Sequence, residues 1–370
     1  MTITPSPTTR RSFLQTTTAA CALAAAALPA TAASAAAAAA PRKIKLGIDN
    51  FGVRGLKWKG QQLIDYAASL RLDSLFITDL DSVGDLEEKN LRELRARAAD
   101  KGMQIQLGSW SICPTSKSFK KNWGTAEEHL ALGIKSAKAL GSAVFRVILG
   151  NGGDRLTEGG IEARIADTVK VCKALRNQAI DAGVKIAVEN HAGDMQAWEL
   201  VTLIEAAGSD YVGANLDSGN AAWTLEDPLQ NLEILGPYTI TTSLRDSMIW
   251  ESTNGATIQW TAMGEGVVDL KTYFKRFAEL CPDAPVHIET ISGFNREFAY
   301  LKPEFWKAFP KARAADFAKF LALAKKGKPM QPFQTPAGAD KVKAEQEYQK
   351  GEIERSIKYC REVLGLGEKA

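Results

Sequence analysis

The feature that most restricts this chain is an alternation. Short β-branched or apolar runs recur eight times: Ile44–Phe51, Ser74–Thr78, Gln104–Trp110, Ala143–Leu149, Lys185–Asn190, Tyr211–Leu216, Tyr238–Leu244 and Pro285–Thr290. Between them an apolar period of about 3.6 residues predicts helices, as over Gln61–Leu70, Leu86–Lys101, Ala126–Leu140, Ile161–Ala182 and Trp198–Ala207. Gly102, Gly141, Gly183 and Gly208 stand just before the next strand, where glycine lets a chain leave a helix in the left-handed conformation. Strands separated by helices pair in parallel, and eight such units close into a (β/α)8 barrel, an α/β fold. An open doubly wound sheet is the rival reading, but no GxGxxG follows the first strand.

The two ends of the chain depart from this rhythm. Residues 1–40 contain Arg10-Arg11-Ser12-Phe13-Leu14, a mildly apolar Ala/Leu/Thr stretch and small residues around Ala30-Thr31-Ala32. They resemble a twin-arginine export signal, with an ordinary secretory signal as the alternative. The expected location is the periplasm or the exterior, reached folded with the help of the twin-arginine translocation machinery. The stretch is too Ala-rich and too short for a lasting membrane span. Residues 41–300 are expected to form the barrel and residues 301–370 a helical extension packed on it. In that extension Ile353, Ile357, Cys360 and Leu364 fall on one face of a charged helix over Asp340–Leu364.

Charge and cysteine content exclude several classes. Of the net +3 from 46 basic and 43 acidic residues, most comes from Arg10 and Arg11, because the first forty residues contain no acid. The near-neutral remainder gives no electrostatic reason to expect a nucleic acid or an anionic membrane as partner. Cys21, Cys113, Cys172, Cys281 and Cys360 form no CxxC pair and no zinc-finger spacing, so they read as isolated thiols.

Chemistry in such a barrel gathers at the carboxyl ends of the strands. There the sequence places Glu189-Asn190-His191, Asp217-Ser218-Gly219-Asn220, Ser243-Leu244-Arg245-Asp246 and His287-Ile288-Glu289. Strand alternation puts Glu189 with His191, Ser243 with Arg245, and His287 with Glu289 on common faces. If those faces point inward, Glu189, Asp217 and Glu289 converge, and three carboxylates in one half-buried pocket need a compensating cation. A divalent metal is the simplest one, and oxygen ligands favour Mn²⁺ or Mg²⁺, with Co²⁺ or Zn²⁺ as alternatives. Arg245 is the other available cation.

Five segments in order, Val188–His191, Leu216–Asn220, Ser243–Asp246, Gly264–Asp269 and His287–Glu289, resemble the xylose isomerase-like barrel superfamily of sugar isomerases and epimerases over roughly Lys43–Gly293. The resemblance implies a divalent-metal site in which Glu189, Asp217 and Glu289 are ligands. The family's remaining histidine ligand falls on Ser243, and a further common histidine falls on Asn220. It also implies proton transfer beside a sugar carbonyl, with Glu189, Glu289 and His191 as catalytic candidates. Trp110, Arg146, Asn220, Arg245 and His287 are the substrate-binding candidates. The expected ligand is a small sugar or sugar derivative, handled by a single chain or by an oligomer.

Plainer readings stand beside these. Glu189 and Glu289 can serve only to anchor Arg146 or Arg245. Asp217 can cap the next helix, and His191, His287 and Trp110 can be core residues. His129 lies on a predicted helix with no acidic constellation around it and receives no role. The functional alternatives are a lyase or hydrolase acting by elimination on 3-keto sugars or glycosides, a metal-independent glycosidase, and a noncatalytic sugar-binding protein.

Overall fold

The runs of Val, Ile and Leu do become buried parallel strands. A computed structural model describes residues 43–369; the expected export signal lies outside the described residues. The barrel strands are β1 (Leu46–Asp49), β2 (Ser74–Ile77), β3 (Gln104–Ser111), β4 (Val144–Ile148), β5 (Lys185–Glu189), β6 (Val212–Leu216), β7 (Thr239–Thr242) and β10 (Val286–Ile288). Strands β8 (Asp246–Ser252) and β9 (Gly255–Thr261) intervene before β10. The eight barrel strands follow the order β10-β1-β2-β3-β4-β5-β6-β7, all parallel. A parallel bridge between Leu244 and Ile288 brings the two edges together, so the barrel is nearly closed. All five residues of β4 are buried, as expected of strands covered on both faces.

Helices α1 (Gly60–Ser69), α2 (Leu80–Val83), α3 (Glu88–Asp100), α4 (Ala126–Leu140), α5 (Gly160–Ala174), α6 (Arg176–Ala182), α7 (Ala197–Ala207), α8 (Ser218–Trp223), α9 (Pro228–Leu235) and α10 (Leu270–Leu280) fill the intervals. Helix α4 shows how local sequence sets the limits. Thr125 and Glu128 form a reciprocal capping box at its start, and Gly141 ends it at φ 80°. The helix expected over Ile161–Ala182 is divided, because Leu175 leaves helical geometry with its N–H on Cys172 O at 3.2 Å.

The barrel carries an addition that the strand count did not foresee. Antiparallel β8 and β9 form a hairpin after β7, and β11 (Arg296–Phe298) joins β9. Trp223, Ile249, Ile258, Trp260, Phe298 and Phe320 make a second apolar cluster there, with helix α11 (Ala314–Ala324) supplying Phe320. Helix α12 (Lys341–Glu362) sends Ile353, Ile357 and Cys360 into the main barrel core. Cys113, Cys172, Cys281 and Cys360 are buried and unpaired.

Candidate active site

Three hydrogen-bonded groups meet at the carboxyl ends of the strands. In the first, Glu189 ends β5 and its Oε2 accepts from Arg146 Nε at 2.5 Å and Asn215 Nδ2 at 2.8 Å. Its Oε1 accepts from Asn220 Nδ2 at 3.2 Å, while Arg146 Nη1 donates to Ser109 O at 2.9 Å. In the second, Arg245 Nη2 donates to both Asp217 Oδ2 and Glu289 Oε2. Asp217 also caps α8, its Oδ1 accepting from the N–H groups of Gly219 at 2.8 Å and Asn220 at 2.9 Å. In the third, Asp49 at the end of β1 accepts from Ser243 Oγ at 2.9 Å and Thr78 Oγ1 at 3.0 Å. Asn215 Nδ2 reaches Ser243 Oγ at 3.2 Å and so ties the first group to the third.

Every charged member is buried, which separates the carboxylates by environment. Burial pushes Asp49 up to about 6 and Asp217 up to about 7, although Arg146 and Arg245 respectively pull the other way. Glu289 is raised by burial against the pull of Arg245, and the negative charges of Asp49, Glu189 and Asp217 add to the rise. Glu189 differs: burial would raise it, but the guanidinium of Arg146, with Arg245 behind it, outweighs burial and holds it below its ordinary value. Glu189 is therefore the settled anion of the cluster.

The donor set does not fit a divalent ion. Glu189, Asp217 and Glu289 do lie in one connected network, but the positive charge shared by Asp217 and Glu289 is the guanidinium of Arg245, and Glu189 is held by Arg146. Ser243, where the resemblance implied a histidine ligand, donates its hydroxyl to Asp49 Oδ2. Among the described residues no three His, Cys, Asp or Glu side chains are grouped so as to hold a metal. The expected ligand roles of Glu189, Asp217 and Glu289 thus give way to ion pairing with arginine.

A cavity of about 40 Å³ opens onto this cluster, and Trp110, Arg146, Glu189, His191, Asn220, Arg245 and Glu289 all line it. His191 is aimed there by its surroundings. Its N–H donates to Asp194 Oδ1 at 2.8 Å, and its Nδ1 lies 2.7 Å from Gly150 O. A carbonyl only accepts, so Nδ1 carries the proton and Nε2 keeps its lone pair. The next residue, Ala192, adopts φ 45°, rare for a side chain with a Cβ, and is held there by Asn220 Oδ1 on its N–H at 3.0 Å. Burial lowers His191 against the pull of Glu189, so the imidazole is uncharged near neutrality. Trp110 is fixed by its indole N–H on Asp79 Oδ2 at 2.9 Å and meets the His191 ring edge-on.

His287, expected at the substrate, is not there. It is fully buried inside the barrel, its Nε2 2.8 Å from Ser74 Oγ, and burial pushes it down to about 3. His287 lies within β10, whereas Glu289, two residues on, has passed the strand end and reaches the mouth. Glu189, expected to move protons, has both oxygens occupied by donors. His129 bonds Ser109 Oγ at 2.7 Å, away from the cavity.

Sequence reasoning missed Asp49, Asn215 and Trp260. Asp49 and Asn215 belong to the polar network, and Trp260 comes from the unforeseen hairpin. Its indole N–H holds Gly219 O at 2.9 Å, its ring lies 4.4 Å from Arg245 Cζ, and it stacks on Trp223 at 4.1 Å between centroids.

Fold and mouth together define a (β/α)8 barrel with a buried acid–arginine cluster at the carboxyl ends of its strands. The chain belongs to the xylose isomerase-like TIM barrel family, whose family model matches residues 64–307. Over 195 residues it is 22% identical to the 3-oxo-isoapionate decarboxylase of Pectobacterium atrosepticum, covering 52% of this chain and 63% of that protein. Its fold is similar to that of D-psicose 3-epimerase with D-tagatose from Clostridium cellulolyticum H10, at TM-score 0.53 and 14% identity, covering 85% of this chain and 98% of that one. It is also similar to the IOLI protein with a bound zinc atom, at TM-score 0.50 and 16% identity, covering 78% and 100% of the two chains. At these identities the likeness to solved structures is one of fold.

Proposed function

We propose that the protein transforms a sugar or oxidised sugar by removing the proton beside a carbonyl and returning it, as a sugar epimerase or isomerase does. The observation that carries this reading is the state of His191. With Nδ1 committed to Gly150 O, Nε2 keeps its lone pair, and His191 lines the same cavity as Arg245 and Glu289. A positioned neutral imidazole is a competent general base near pH 7. His191 takes the proton, Glu289 is the second proton carrier, and Arg146 with Glu189 forms the wall that fixes Asn220. Trp110 and Trp260 offer aromatic faces to the sugar. The family's epimerase and isomerase members support the substrate class, and no step runs through a metal.

A second reading follows from the decarboxylase relative: loss of CO₂ from a 3-oxo acid also leaves an electron pair beside a carbonyl. Two arginines lining one small cavity suit a substrate that carries a carboxylate. The test is a screen of free sugars, their 3-keto derivatives and 3-oxo sugar acids in deuterated solvent. Deuterium appearing beside the carbonyl supports proton transfer, and CO₂ release with one deuterium in the product supports the lyase. If no compound exchanges or loses CO₂ while glycosides are cleaved, the reading is wrong.

Export of the folded enzyme by the twin-arginine route belongs to the same proposal, since Arg10 and Arg11 open an acid-free leader. Replacing both by Lys should leave the protein in the cytoplasm; unchanged export would remove this assignment.

A further inference from the structure

The arginine at the centre of the acid cluster is only partly used by the protein. Arg245 is 1% exposed, and its Nη2 alone serves Asp217 and Glu289. Its Nε and Nη1 are buried and have no hydrogen-bond partner. Buried donors without acceptors are rare in proteins, and a bound ligand is one way to complete them. The guanidinium is also held in place as a rigid plate: Trp260 covers it at 4.4 Å, and Gly219 leaves it room, since a Cβ there would come within 2.6 Å of Arg245 Cγ and Cδ. Arg245 lines the same cavity as His191.

We infer that Arg245 does in this protein what a divalent ion would otherwise do: an N–H group that the protein leaves unpartnered receives the carbonyl oxygen of the substrate, and the guanidinium charge neutralises the oxyanion that forms there. The inference rests on the proton-transfer reading above. In the step itself, the C–H bond beside the carbonyl breaks and its proton passes to His191 Nε2. The bond's electron pair becomes a C=C bond, and the carbonyl π pair moves onto oxygen, leaving an enolate against Arg245. Reprotonation at carbon reverses the movement, so no other reactant is consumed. The ligand class follows: a ketone or 3-oxo acid whose oxygen accepts in the guanidinium plane. Asp217 then acts as a positioning residue, fixing the plate by its far nitrogen, and Glu289, the second proton carrier, accepts from the same nitrogen.

The test has an arm that needs no substrate. The purified full chain, treated with EDTA and dialysed, is titrated with Mn²⁺ and the free ion followed by its paramagnetic resonance signal. Wild type should leave the Mn²⁺ signal unreduced at equimolar ion; stoichiometric binding at micromolar concentration would overturn the inference. In the second arm, Arg245→Ala should lose at least 100-fold in solvent exchange and recover at least 10-fold with added guanidinium ion but not with Mn²⁺. Absence of guanidinium rescue, or rescue by Mn²⁺ instead, would overturn it. Should the Ala variant fail to fold, Arg245→Lys keeps the charge without the planar guanidinium donors and should still lose at least 10-fold in exchange; full activity would refute the role. If wild type exchanges no proton with any compound, the function proposed above fails, while the Mn²⁺ arm still decides the cation.

Discussion

Gly219→Ala probes the cluster without changing any charge. An added Cβ would lie 2.6 Å from Arg245 Cγ and Cδ and 2.9 Å from Trp260 Nε1. Comfortable carbon contacts begin near 3.5 Å, so the arginine must retreat by roughly 1 Å. It has little room to do so, because Nη2 is bound to Asp217 and Glu289 and the face is covered by Trp260. Overpacking of this kind costs about 1–3 kcal/mol. Alanine regains at most about 1 kcal/mol over glycine in a helix, and less in the first turn of α8, where residue 219 lies. The net expectation is a loss of about 1–2 kcal/mol in urea unfolding. Activity should suffer more, because a displacement of about 1 Å in a catalytic group is worth roughly 100-fold in rate. A variant that is as stable as wild type and exchanges substrate protons at an undiminished rate would show that Arg245 is not confined as described.

Three further outcomes follow from the same geometry. His191→Gln should lower proton exchange by roughly 100- to 10,000-fold with little change in unfolding, and an unaltered exchange rate would exclude His191 as base. Burial pushes Glu226 up to about 7 from an ordinary value of 4.5, and its carboxylate takes the N–H of Ala197. A raised carboxyl favours the fold below about pH 4.5 and that contribution is lost as pH rises through about 7, so Glu226→Gln should gain relative to wild type between pH 5 and pH 8. Urea midpoints at the two pH values check the sign, and a difference independent of pH would contradict it. Ser243→Ala removes the hydroxyl donor from buried Asp49 and should cost about 1–3 kcal/mol of stability; a neutral result in urea unfolding would show that Thr78 and Phe51 satisfy Asp49 alone.

The barrel was readable because strands covered on both faces must be continuous apolar runs; seven of the eight runs contain a barrel strand, and β3 passes the end of its run by one residue, Ser111. Residues 246–261 were not read as strands, since they follow β7 without an intervening helix and break the alternation used for counting. Their signal was present in Thr253-Asn254-Gly255 between two β-prone runs, a hairpin-turn sequence. In the site, the strand ends were expected to bring Glu189, Asp217 and Glu289 together, and the three lie in one hydrogen-bonded network through Asn220 and Arg245. Alternation erred on His287 because shared facing says nothing of depth, and two residues along a strand is more than 6 Å. Asp49 was not legible because an acid at the turn after a strand is too common to point to a site; it caps the turn, with Phe51 N–H on Oδ1, and its other oxygen holds Ser243.

The position of Ser243 explains how the rest of the cluster is arranged. A serine there cannot complete a metal shell well, but its short side chain can donate to Asp49 while Asn215 braces it from β6. With no large side chain at 243, the compensating charge comes from Arg245, two residues further on, and a guanidinium so deeply buried requires a lid and a floor. The hairpin inserted after β7 provides the lid as Trp260, and glycine at 219 provides the floor. The inserted strands, the missing Cβ and the serine are thus parts of one solution to one electrostatic problem: keeping Asp217 and Glu289 together in a buried mouth. A histidine placed at position 243 alone would not create an ion site, because Arg245 would still be paired with both carboxylates.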